Sequence, residues 1–133
     1  MYLRLFFLLL FFCFSSDLFS QKKLNRPSKI VGLEHIDSIV THSFDLYDLL
    51  FEYEKCMEGD AVFCEEDIHA LENILAESHS IIQKAIEAKA TFQSESLLTR
   101  TRATIQLEKA KRAVYHSRKI SEEILLAQNV QIE

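Results

Sequence analysis

From Leu33 to Glu133 the chain has one glycine, Gly59, and no proline. A stretch of that length without the two strongest backbone punctuators, and rich in Leu, Ile, Ala, Glu, Lys and Gln, has little choice but helix. Strand-like alternation of apolar and polar residues is not sustained over any useful length. The fold class that follows is all-α, and the question becomes how many helices the chain divides into.

Helix 1 is predicted from about Leu33 to Met57. Leu33, Ile36, Val40, Phe44, Tyr47 and Phe51 follow one another at steps of 3, 4, 4, 3 and 4. Ile39, Leu46, Leu50, Tyr53 and Met57 widen that stripe enough to face two neighbours rather than one. Gly59 fits a position just past the helix end, where left-handed backbone is often required. Helix 2 should begin between Ala61 and Glu66, with Asp60 as N-cap and Glu65, Glu66 and Asp67 at the positive end of its dipole. Its apolar rows are Ile68, Leu71, Leu75, Ser78, Ile82 and Ala85, then Ile74, Ile81, Ala88 and Phe92.

The segment Thr91 to Ser96 is locally weak for helix, and Ser94 or Ser96 could cap a new one. A break there gives a third helix from about Glu95 to Gln128, and a small three-helix up-down bundle. Without a break, one helix of about 60 residues would need a second chain to cover it, as a long helical hairpin or coiled-coil dimer. Helix 3 buries mostly small residues, Ala110, Ser117 and Ser121 beside Leu107, Val114 and Ile124, so it is expected to be the least anchored.

The first twenty residues have a different character. Arg4 precedes an unbroken apolar run from Leu5 to Phe14, closed by Ser15, Ser16 and Asp17, with Ser20 at a cleavage position before Gln21. That is the layout of a cleaved secretory signal peptide, residues 1–20. The run of 10 residues is far short of the roughly 20 a transmembrane helix needs. The alternative is a lipid anchor on Cys13, disfavoured by the bulky Phe12 before it. The expected address is export, periplasmic or secreted, with no transmembrane segment in the mature chain. Residues 21–31, with Lys22, Lys23, Arg26, Pro27 and Lys29, read as a flexible basic leader, and 32–133 as the helical bundle domain.

Export makes Cys56 and Cys64, which flank the first turn, a candidate disulfide across seven residues, with a stabilisation on the order of 2–3 kcal/mol. Charge is strongly segregated. Residues 34–77 hold thirteen acids against Lys55, whereas 100–119 hold seven bases against Glu108. One consequence would be internal: helix 3 folds onto the acidic hairpin and opposite charges line the seam. The other is a binding surface, for which Arg100, Arg102, Arg112, Arg118 and Lys119 are the candidate partner-binding residues. Nucleic acid is a poor match, because the net charge is −5 and no aromatic stacking platform accompanies the arginines.

Catalytic signals are weak. The five histidines lack a His-Glu-x-x-His spacing, no Gly-x-Ser-x-Gly turn occurs, and no glycine-rich phosphate loop is present. Glu65 and His69 stand at i, i+4 with Asp60 and Glu66 near, a minor alternative as a metal or ligand sensor. The sequence therefore points to a non-enzymatic exported protein without cofactor or metal, acting by contact with another envelope or secreted protein, or by self-association into a structural assembly.

Overall fold

The structure, a computed structural model, describes residues 23–59 and 62–132. Three helices follow in order: α1, Glu34–Glu58; α2, Glu65–Ala88; and α3, Leu97–Ile132. Each packs against the other two, giving an up-down bundle with no strand among the described residues. None of its described helices is long and apolar enough to cross a membrane.

The break between α2 and α3 falls where local chemistry weakens the helix. Residues 89–95 form consecutive turns, and Ser96 starts the next helix: its Oγ accepts the Thr99 N–H at 3.2 Å and its carbonyl accepts the Arg100 N–H at 2.9 Å. The continuous-helix rival is thereby set aside. Phe92 helps hold the turn, 2% exposed in the core beside Ala85 and Ala88.

The core forms two clusters. One joins Ile36, Val40, Phe44 and Tyr47 of α1 to Ala85, Ala88 and Phe92, and to Ala103, Leu107, Ala110 and Ala113 of α3. The other, toward the α1–α2 turn, joins Leu46, Leu50, Leu71, Ile74, Ile81, Ile82, Val114 and Ile124. Burying each large apolar side chain stabilises the fold by about 1.5–3 kcal/mol.

Helix α3 is the central element rather than the least anchored one: it packs against α1 and α2 more extensively than they pack on each other. Its stripe of Ala103, Leu107, Ala110, Ala113, Val114, Ser117, Ser121 and Ile124 is wholly inaccessible to solvent. Small residues give up area per side chain but let two neighbouring helices approach one axis closely, so both dense contacts are made at once. The hydroxyls buried in this way are satisfied within their own helices: Ser43 donates to the Ile39 carbonyl at 2.7 Å, Ser78 to Ile74 at 2.6 Å and Ser117 to Ala113 at 2.9 Å. Ser121 Oγ is the exception, buried with no hydrogen-bond partner among the described residues.

The expected flexible leader is instead an ordered strap over its described part, residues 23–31. The Leu24 N–H donates to the Tyr47 hydroxyl at 2.9 Å, the Gln106 side-chain amide donates to the Lys29 carbonyl, and Val31 is 7% exposed in the first core cluster. At its end the Asp37 carboxylate accepts the N–H of Val31 at 2.7 Å and of Gly32 at 3.0 Å. This two-point clasp turns the chain into α1, and Gly32 makes the turn at φ +90°, where an L side chain is strained. The left-handed position expected at Gly59 is not found: Gly59 has φ −97° and bonds back to the Cys56 carbonyl at 3.2 Å.

The expected Cys56–Cys64 bond is likewise absent: both thiols are free and exposed. The reason lies at the start of α2. Cys64, rather than Asp60, is the N-cap, with its N–H and its thiol both directed at Asp67 Oδ2, each at 3.0 Å. Cys64 is thus committed to its own helix. Asp60, Cys13 and the signal segment 1–20 lie outside the described residues.

Candidate interaction surface

The acids of α1 are met by the strap. Lys23 Nζ lies 2.8 Å from Asp48, and Arg26 bridges Asp45 at 2.8 Å and Asp48 at 3.6 Å. Lys23 also sits over the Phe51 ring at 4.8 Å. The hydrogen bond to Asp48 raises the Lys23 pKa above its ordinary value. The internal seam is therefore real, but it is made mainly by the strap and not by α3 as charge segregation suggested. Among the described residues, polar contacts between charged or titratable side chains of separate segments of the bundle are few. Lys89 reaches Glu108 of α3 at 2.8 Å, and His116 of α3 lies 3.5 Å from Glu54. Glu108 is held below the usual carboxylate range by Lys89 and then by Lys111.

The five basic residues singled out from sequence do not form one patch. Arg100 spends a guanidinium N–H on the Gln93 carbonyl at 3.3 Å, closing the α2–α3 turn. Arg118 pairs with Glu122 at 3.0 Å and borders a groove with Glu72 and His79, on the opposite side of α3 from Arg102. Lys119 lies 3.8 Å from Glu123. Arg102 and Arg112 are exposed and, with Lys29 and Lys109, form no ion pair among the described residues.

Arg102 opens onto a groove of about 350 Å³ between the strap and α3, bordered by Pro27, Ser28, Lys29, Leu98, Thr101, Arg102, Ile105, Gln106 and Lys109. Three of these are cations and none is a carboxylate. Leu98 is 69% and Ile105 52% exposed, large apolar groups left uncovered beside unpaired charge. Sequence reasoning passed over Leu98, Ile105 and Lys109 as site residues. Their signal was present: Leu98, Arg102, Ile105, Lys109 and Arg112 step by 4, 3, 4 and 3 along one face of α3. That face stands beside the buried stripe, and only packing separates the two.

No family model, curated protein or solved structure matches the chain.

The comparable groove of about 370 Å³ between α1 and α2 is of mixed charge, with His42, Asp45, Glu77 and Lys84 at its edge, and Asp45 is already engaged by Arg26. The histidines do not converge. His35 bonds Thr91 at 2.6 Å, His69 lies between Glu72 at 3.1 Å and Glu65 at 4.0 Å, and the His116 ring lies tilted 5.5 Å from the Tyr47 ring. Among the described residues no group of three or more His, Cys, Asp or Glu side chains is placed to hold a metal ion. The hydrogen bond to Asp67 pushes the Cys64 thiol pKa up, and the same bond holds Asp67 down. What the arrangement offers chemically is a strip of exposed apolar surface flanked by fixed positive charge.

Proposed function

We propose that this is a small exported helical protein, non-enzymatic, that works by protein–protein contact through the strap-side face of α3. The observation that carries the reading is the groove in which Leu98 and Ile105 stand uncovered between Lys29, Arg102 and Lys109, with no carboxylate on its border. A solitary exposed leucine needs no explanation, but large apolar groups clustered on the surface and rimmed by charge are what an interaction site presents. The reading of export rests on the apolar run from Leu5 to Phe14 behind Arg4.

The test is a photo-crosslinking residue at Ile105 in the cell that makes the protein. A discrete protein adduct that disappears on Arg102→Glu with Lys109→Glu supports the reading; no adduct at Ile105 counts against it. The intact mass of the same protein reports whether the chain starts at Gln21.

A further inference from the structure

We infer, building on the contact function proposed above, that the groove between the strap and α3 takes an acidic amphipathic helix from a partner protein. On a 3.6-residue period, Leu98 and Ile105 run along the middle of the face, with Arg102 and Lys109 on one side and Arg112 on the other. The strap adds Lys29 on the Arg102 side, fixed there by the bond from Gln106 to its carbonyl. An apolar line with cations on both flanks is the complement of a helix carrying one apolar row edged by carboxylates. From Leu98 to Arg112 the line is about 21 Å long, roughly four turns of a partner helix.

Other occupants match less well. A flat anionic membrane favours a convex apolar ridge, whereas here the Pro27–Lys29 wall makes the surface concave. A purely polyanionic ligand would leave Leu98 and Ile105 uncovered.

The experiment is fluorescence anisotropy of the purified protein with a labelled synthetic helix of about 16 residues, leucine at every third or fourth position with glutamate on both flanks. Saturable binding is expected. It should weaken about tenfold or more on Ile105→Ser, and again on Arg102→Glu with Lys109→Glu, and should fall as salt rises. These residues are exposed, so circular dichroism of each variant should match the parent. A peptide with serine for leucine should bind at least about tenfold more weakly, and one with lysine for glutamate not at all.

Failure of the acidic peptide to bind, or equal binding of the serine peptide, would overturn the assignment. Binding to phosphatidylglycerol vesicles without binding to the peptide would overturn it in favour of a lipid surface, and dimerisation through Arg102 and Lys109 in favour of a second copy. The Ile105 crosslink separates the two levels. An adduct without peptide binding keeps the contact function and rejects the acidic helix; neither result rejects both.

Discussion

The acidic face of α1 and the basic face of α3 come from the same charge segregation, yet they end in opposite states. Asp45 and Asp48 are closed by Lys23 and Arg26 of the strap, and the aromatic rings beneath, Tyr47 and Phe51, are partly covered by the same segment. Arg102, Lys109 and Arg112 have no such cover, although the strap passes directly alongside at Lys29. The strap is cationic, so it neutralises one wall of its own track and reinforces the charge of the other. A single short segment thus decides which helix face is spent on folding and which is left uncovered.

The sharpest way to break this comparison is to truncate a residue on each side. Phe44→Ala, emptying a site 1% exposed under the strap side, should lower unfolding stability by about 3–5 kcal/mol in urea. Ile105→Ser on the α3 face should change it by no more than about 0.5 kcal/mol. Equal losses would mean that the α3 face is structural. Next in size is Asp37→Ala. Removing the clasp leaves the Val31 and Gly32 N–H groups without their acceptor, a loss of about 1–2 kcal/mol, with faster amide exchange at those two residues.

A smaller effect belongs to Glu108, whose pKa is lowered by Lys89 and Lys111. Its contribution is present above the ordinary carboxylate range and is lost as pH falls through the lowered value. The raised pKa of Lys89 means its share is present below the ordinary lysine value and is lost as pH rises through the raised one. Glu108→Gln should flatten the acid limb of a stability–pH curve, by less than Asp37→Ala costs, because Glu108 and its nearest partner Lys89 both remain partly in solvent.

The least energetic prediction concerns the α1–α2 turn. Both cysteines should alkylate in the native, unreduced protein, Cys64 more slowly than Cys56 at neutral pH because Asp67 keeps its thiol protonated. Asp67→Ala should narrow the gap in rate. Protection of both thiols until reductant is added would overturn the free-thiol arrangement.

Much of the fold was legible in the residues. The 3.6-residue rows of α1 and α2, the capping serine at Ser96 and the buried line from Leu107 to Ile124 all appear where spacing places them. These are local properties: a helix and its apolar face depend on neighbours three and four residues away. The site was legible only in part. Arg102 and Arg112 are uncovered, but Arg100 serves a turn and Arg118 pairs with Glu122, and no spacing rule distinguishes these fates. The spacing that joins Lys109, Leu98 and Ile105 is visible in the sequence, but spacing does not say which of two adjacent stripes on one helix packing buries and which it leaves exposed.

By itself, then, the sequence determined a helical chain, the apolar faces of its helices and the weak stretch, Thr91 to Ser96, where a break could fall; the structure decided that the break is made there. Only the tertiary structure decided that residues 23–31 are a strap, that α3 is the central helix, and that Arg102, Lys109 and Arg112 stay unpaired among the described residues while Asp45 and Asp48 of α1 are engaged. The physical reason is range. Helix and cap energies are settled within a turn or two, whereas Leu24 meets Tyr47, and Gln106 meets Lys29, only after packing has brought distant segments side by side.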